Sequence, residues 1–402
     1  MYRFNRMILL LVMVMMPGFV FAGSDHYKNI LIGDRAATMG GAFTAVSDDA
    51  SGVYYNPAGL VYGAYSMFSG SANTFHQSTI TFEEAVSSHD WVRNGRSMKP
   101  NFFSMVNSLD SGVKWGVSYI VPDATVEHQQ EVFSDVGDYN DYVLNVHDED
   151  TTTYLGPSIS AELTDDIAVG MSLYYFFRDK KVQSNQYLSD SSDEISQWQT
   201  VDQFVSVHGF LPIIGVMWTP ADEWSVGATF RMQSSFSSTI DQNVINYAGD
   251  GSDQATMSSS SSDYTVDYPM QFSVGVAYFP SPFLLISSDI DVYYFLDSTL
   301  DHVVNVSVGA EYFLTQRQAI RAGFFTNNSN VPAPTSSSTN RRSIDLMGLS
   351  CGYSMYSASN SLTIGLVFAA GNGEAQVYSN DSTIIDFTQT DVSVLVSAGF
   401  GL

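Results

Sequence analysis

The chain has 402 residues, with 42 acidic against 16 basic side chains and a formal charge of −26 at pH 7. Such acidity argues against nucleic acid as a partner and against attraction to anionic headgroups. The single cysteine, Cys351, excludes an internal disulfide. No apolar run reaches the roughly twenty residues that a spanning helix needs, so a helical membrane protein is excluded.

The first 22 residues read as a cleavable secretory signal. Arg3 and Arg6 form its basic start, Met7 to Met16 its apolar core, and Val20-Phe21-Ala22 the small-residue site that a signal peptidase reads, with cleavage expected after Ala22. No Cys follows that site, so a lipoprotein is not expected. Losing two arginines and no acid takes the formal charge from −26 to −28.

Residues 23–63 form the next unit. From Gly33 to Leu60 they are dense in small side chains, including Gly40, Gly41 and Ala42, then Asp48, Asp49 and Ala50. Ser47 or Asp48 can cap a short helix, and Asn56 is a cap followed by Pro57 at the first helical position. A compact segment of this kind suits the inside of a barrel, where it would act as a plug.

From residue 64 onward, short stretches alternate apolar with small or polar residues. Strands are predicted at 64–76, 100–109, 112–122, 151–163, 166–179, 204–219, 223–236, 265–280, 283–296, 302–314, 318–327, 342–356, 361–370 and 390–402. That is an even number near fourteen, as bacterial membrane barrels require. Pro212 implies a bulge or kink in its strand. Asp110-Ser111, Thr164-Asp165, Thr219 to Asp222, Pro280-Ser281-Pro282 and Ser357 to Asn360 are tight turns, expected to face the periplasm. Segments 77–99, 123–150, 180–203, 237–264, 328–341 and 371–389 read as long outward loops.

The alternation assigns faces. Val113, Trp115, Val117, Tyr119 and Val121 share one side of their strand, and Lys114, Gly116 and Ser118 the other. The second face of the strands is Gly, Ser, Ala and single charges, too small to pack a dry core, so a wet lumen is expected. Trp115, Tyr119, Tyr174, Tyr175, Trp218, Trp224, Tyr278, Phe279, Tyr293 and Tyr294 sit near strand ends, as interfacial girdles do. Lys114, Glu162, Arg231, Asp289, Asp291, Glu311 and Arg321 project into the lumen. Arg231, Lys114 or Arg321 could meet a substrate carboxylate. Arg35 of the plug could instead pair with Asp289, Asp291 or Glu311 and seat it, since a lumen charge needs a partner. Phe43, Val53 and Tyr54 are the plug side chains expected to touch a hydrophobic ligand.

The run from Gly33 to Leu60, with its core from Met39 through Gly40, Gly41, Asp48 and Asp49 to Asn56, Pro57, Ala58 and Leu60, resembles the N-terminal hatch of the FadL/TodX family of outer-membrane hydrocarbon transporters. In that family an Asn-Pro-Ala motif closes the hatch just before the first strand, and here it falls on Asn56, Pro57 and Ala58. The resemblance implies an all-β, fourteen-stranded transmembrane barrel (64–402) with a luminal plug (23–63) containing short helices. It also implies passive uptake of a hydrophobic molecule, fatty-acid or hydrocarbon-like, into a pocket above the hatch and out sideways into the membrane. An apolar route suits such a cargo, because each buried CH₂ is worth about 0.8 kcal/mol. Similar barrels also act as secretion or surface-attachment shuttles, the alternative reading.

The remaining motifs carry less. Gly348-Leu349-Ser350-Cys351-Gly352 fits the G-x-S-x-G nucleophile pattern, but nothing after it reads as the helix that motif needs, so no enzyme is expected. Segment 123–150 has nine acids and no Lys or Arg, with His128 and His147. It could hold divalent cations that bridge to lipopolysaccharide, but its spacing matches no defined metal loop, so neither metal nor cofactor is assigned. Phe400, two residues before Leu402, is an imperfect form of the C-terminal signal read by barrel-assembly machinery.

Overall fold

Backbone groups find no water inside hydrocarbon, so a chain that alternates greasy and small residues is stable there only as a sheet closed on itself. A computed structural model has that form. It describes residues 25–401 except 87–88, 137–138, 190–194, 249–253, 297–298, 336–340 and 377–382. The expected signal peptide and the terminal Leu402 lie outside the described residues.

The chain enters through a plug containing α1 (Asp34–Thr38), α2 (Gly52–Tyr55) and a 3₁₀ turn (Pro57–Tyr62). The wall begins with β1 (Ser66–Val86), β2 (His89–Ser108), β3 (Lys114–Val136), β4 (Tyr139–Thr164), β5 (Ile167–Ser189) and β6 (Ile195–Ala221). It continues with β7 (Trp224–Met232), β8 (Ser234–Ala248), β9 (Thr256–Asp263), β10 (Met270–Ser281), β11 (Leu284–Tyr294), β12 (Val303–Thr315) and β13 (Gln318–Asn327). It ends with β14 (Arg342–Ile344), β15 (Leu346–Tyr356), β16 (Asn360–Ala375) and β17 (Ile385–Gly401). The pairs β7–β8, β9–β10 and β14–β15 are each one strand with a short interruption. The result is a closed antiparallel barrel of 14 strands, sealed where Met67 to Phe82 of β1 pair with Gly401 to Phe387 of β17.

Outward positions form an apolar belt. Met171, Leu173 and Tyr175 are exposed on β5, as are Phe272, Val274, Val276 and Tyr278 on β10, while Ser172, Tyr174, Ser273 and Ala277 between them are buried. Cys351 also faces out.

Four of the predicted loops are largely strand. Segments 77–99, 123–150, 180–203 and 237–264 continue the wall as long hairpins, giving strands of 20 to 27 residues in β1 to β6. Spanning takes only about ten. Above the belt the extended sheet is stitched by polar side chains. Tyr142, Gln186, Gln199 and Asn246 bond in series across β4, β5, β6 and β8 at 2.9, 2.6 and 2.7 Å.

Pro212 leaves the β5–β6 register unbroken at Leu173 but sits where β6 changes partner from β7 to β8. Its missing N–H falls at that joint. A second irregularity bears on function. The β2–β3 ladder runs from Ser108 opposite Lys114 to Phe102 opposite Ile120, and resumes only at Gly95 opposite Glu127. Residues 96–101 and 121–126 do not pair with each other. The β3–β4 register also slips between Ile120 and Asp123, which turns Val121 inward against the expected alternation.

Candidate functional site

The plug rests on backbone-to-backbone contacts. A side-chain carbon added at Gly227 would lie 2.0 Å from the Thr44 carbonyl oxygen, and one at Gly323 2.2 Å from the Gly40 nitrogen. One at Gly170 would lie 2.4 Å from the Pro57 carbonyl carbon, and one at Gly309 2.5 Å from the Met39 carbonyl oxygen. The small inward residues therefore make room for the plug, and at its level the lumen is packed, not wet. Gly40 and Gly41 have φ of 68° and 78°, in the left-handed region that glycine tolerates, and a side chain on Gly40 would meet the Phe324 backbone.

Asn56 shows what the Asn-Pro-Ala motif does. Its Oδ1 accepts from the Ala58 N–H at 3.1 Å and caps the 3₁₀ turn, with Pro57 supplying the fixed φ of the first position. Its Nδ2 donates to the Thr44 carbonyl at 2.8 Å and to the Val216 carbonyl of β6 at 3.1 Å. One buried amide thus joins two plug segments and the wall. Asn56→Ala should weaken plug protection in hydrogen exchange by about 1–3 kcal/mol, since it leaves buried partners unmet. Unchanged exchange at Thr44 to Ala58 would contradict that role. Ser47 and Asp48 cap no helix. The Ser47 hydroxyl donates back to the Phe43 carbonyl, Asp48 pairs with Arg35, and Asp49 accepts from the Ser51 N–H and hydroxyl. Burial pushes the Asp49 carboxyl up to about 6.

The charges expected in the lumen divide by role. Arg35 meets Glu311 at 2.6 Å and Asp48 at 2.5 Å. Burial opposes its charge, but these carboxylates outweigh that and raise its pKa above the usual range. Arg321 completes a buried Arg-Glu-Arg group, with Nε 2.7 Å from Glu311 and further bonds to Ser354 and Tyr356. It does not face the cavity. Asp289 pairs with no arginine; its Oδ2 accepts the Phe43 and Thr44 N–H groups at 2.8 Å each. Asp291 takes Lys28 at 2.7 Å. Lys114 donates to the Gly63 and Ala64 carbonyls, fastening the plug exit. Glu162 is exposed beside its turn.

Above the plug lies a cavity of ≈ 800 Å³, counting its open mouth, lined by residues that include Tyr54, Arg231, Pro122, Asp123 and Arg178. Of the three plug residues expected to touch ligand, only Tyr54 reaches it. Phe43 is fully buried against Tyr55, and the Val53 carbonyl accepts from Ser172 and Tyr174. Arg231 lies over the Tyr54 ring at 4.5 Å. Arg178, above the belt, pairs with Asp150 at 2.6 Å. Burial opposes its charge, yet Asp150 and Asp123 raise its pKa above the ordinary range.

Sequence reading missed Tyr27, Tyr154, Arg178, Tyr268 and Tyr293 as lining residues. Tyr293 and Tyr174 were expected in the girdle. Pleating sends one member of each Tyr-Tyr pair inward, so Tyr294 and Tyr175 are the exposed partners. In the β3–β4 hairpin Asp148 meets Lys180 and Glu149 meets Lys99, while His128 and His147 face each other with Nδ1 atoms 3.1 Å apart. Ser350 is buried in the middle of β15, opposite Gly323 and Val367.

No family model matches the chain, and no curated protein sequence matches it. Solved structures do. The chain superposes on the Pseudomonas putida toluene transporter TodX with a TM-score of 0.70 at 12% identity, over 91% of this chain and 97% of that one. For a Pseudomonas aeruginosa FadL homologue the TM-score is 0.64 at 13% identity, covering 91% and 97%. For the monoaromatic hydrocarbon channel CymD it is 0.59 at 15% identity, covering 94% and 99%. A fourteen-stranded wall, an N-terminal plug and near-complete mutual coverage give this chain the FadL/TodX family fold.

Proposed function

We propose that this protein is an outer-membrane channel for passive uptake of small hydrophobic molecules, in which cargo waits in the cavity above the plug and leaves sideways between β2 and β3. The observation that carries the reading is that Pro122 and Asp123 line the cavity and also belong to the stretch of β3 that does not pair with β2. A plug packed against the wall makes a sideways exit the shorter path. Met98, 75% exposed, points out of the barrel on that stretch. Lys99 spans the same gap, its Nζ 3.2 Å from Glu149 and 2.9 Å from the Thr151 hydroxyl of β4. The related folds support this assignment, since their described members carry toluene and monoaromatic hydrocarbons.

In this reading the long hairpins face outward toward lipopolysaccharide, the tight turns face the periplasm, and assembly machinery inserts the barrel after signal cleavage. No catalysis is assigned, and Ser350 serves the wall.

Two labelled variants test the route. With the exposed Cys351 replaced by Ser, a fluorophore on Met98→Cys should be quenched by a brominated aromatic compound added at the hairpin side of proteoliposomes, before one on Ser359→Cys in the turn below the plug. Earlier quenching at position 359 would mean passage through the plug and would remove the lateral exit.

A further inference from the structure

We infer that the cavity is built for a small aromatic compound bearing one acidic group, with the anion on Arg231 and the ring among tyrosines. The inference rests on the channel reading above and names its cargo class.

Arg231 is the starting point. It is 7% exposed, and its Nη2 donates to the Tyr54 and Tyr55 carbonyls at 2.6 and 3.1 Å. Its Nε is buried without a hydrogen-bond partner, and among the described residues no carboxylate lies within ion-pair distance. The other buried cations near the plug differ. Lys28 has Asp291, Arg35 and Arg321 share Glu311, and Arg178 has Asp150. A desolvated guanidinium held only by carbonyls and a ring face is costly, and an entering carboxylate supplies what is missing as a charge-assisted bond.

The lining specifies the rest of the ligand. Tyr27, Tyr54, Tyr154, Tyr268 and Tyr293 supply flat walls, whereas Leu211 is the one aliphatic side chain apart from two prolines. Tyr27 and Tyr293 stack at 3.9 Å, which fixes one wall, and the Tyr27 hydroxyl is held by Asn330 at 2.7 Å. An acyl chain gains from continuous aliphatic contact along its length, and this lining has little to offer it. A planar ring gains from offset or edge-on packing against tyrosines, worth about 0.5–1.5 kcal/mol per pair beyond the area buried. The acidic surface of the protein does not defeat an anion here. Asp123 lines the cavity but faces Arg178 and Asn29, Asp291 is bound to Lys28 and Asp150 to Arg178, and salt screens acids beyond about 8 Å.

The test is calorimetric titration of the purified full-length barrel in detergent with benzoate, toluene and laurate. Benzoate should bind about tenfold or more tighter than either of the others. Arg231→Gln, which keeps a donor for the Tyr54 and Tyr55 carbonyls, should lose benzoate binding about tenfold or more, with toluene changed less than about twofold. Arg231→Lys keeps the charge and should hold the preference for benzoate, which separates loss of the anion site from a disturbed plug. Toluene or laurate binding as tightly as benzoate would overturn the acidic-ring assignment and leave the channel intact. Failure of all three probes to bind or to enter proteoliposomes would overturn the channel reading itself.

Discussion

Deleting residues 23–60 should turn a barrel that passes almost no ions into an open pore with a large, stable conductance in planar bilayers. Fourteen strands enclose a bore wider than the eight-stranded barrels that side chains alone can fill, and narrower than the sixteen-stranded porins that carry an aqueous channel. Here the inward face at plug height is made of glycines and serines with no bulk of its own. Gly170, Gly227, Gly309 and Gly323 are occupied by plug backbone at distances that leave no room for a methyl group. Once the plug is gone, nothing on the wall replaces it, and the exposed ring includes Asp289, Asp291 and Glu311. The pore should therefore favour cations, a selectivity measurable from the reversal potential in a salt gradient. Equal conductance for the intact and shortened proteins, with both shown to be folded by heat-modifiable mobility, would mean that the plug does not close the bore.

The second large effect is expected at Glu311. This carboxylate is 1% exposed and answers two guanidiniums, Arg35 from the plug and Arg321 from β13. Glu311→Ala would leave Arg321 without a carboxylate and Arg35 with Asp48 alone. Removing one partner from a buried ionic group commonly costs about 3–5 kcal/mol, because the charge left behind stays desolvated. That loss falls on the plug, since the wall keeps its hydrogen-bond ladder. Protease sites between Arg35 and Ser47 should become accessible at denaturant concentrations that leave the barrel closed, and brief conductance bursts should appear. Glu311→Gln, which retains an acceptor but no charge, should lie between the two. If the alanine variant lost barrel and plug together, the plug would be part of the same cooperative unit as the wall.

Where the chain crosses lipid, its sequence is easy to read, because two different solvents act on alternate residues. The belt positions of β5, β7 and β10 follow directly from that contrast. It vanishes above the belt, where both sides of a strand meet water or another strand. Stretches such as Gln183 to Gln186 and Ser258 to Ser262 carry no period and read as loops, although they are paired strand. Arg178 falls inside the predicted strand 166–179, and nothing in its period marks it as a cavity residue. Within the belt, two kinds of error remain. A doublet such as Tyr293-Tyr294 has one residue on each face, and composition alone does not say which faces the bore. A register slip such as that between Ile120 and Asp123 reverses the alternation beyond it. The plug was legible through its small residues and the Asn56-Pro57 pair. Arg35 was legible as a seating residue, but choosing Glu311 among three acids needed the packing, because Asp289 is consumed by backbone N–H groups that no sequence pattern reveals.

The plug also constrains how the molecule is born. Its residues precede the wall in the chain, yet their partners come near the end of it: Asp34 accepts from Thr363 at 2.5 Å, and Tyr27 and Lys28 donate their N–H groups to Asn327. Until some three hundred residues have been threaded and the seam between β1 and β17 has shut, the leading segment has nowhere to settle. Contacts so distant along the chain form slowly. The folding protein therefore passes through an interval in which the bore is uncorked, and the plug segment stays unpacked until the wall is complete.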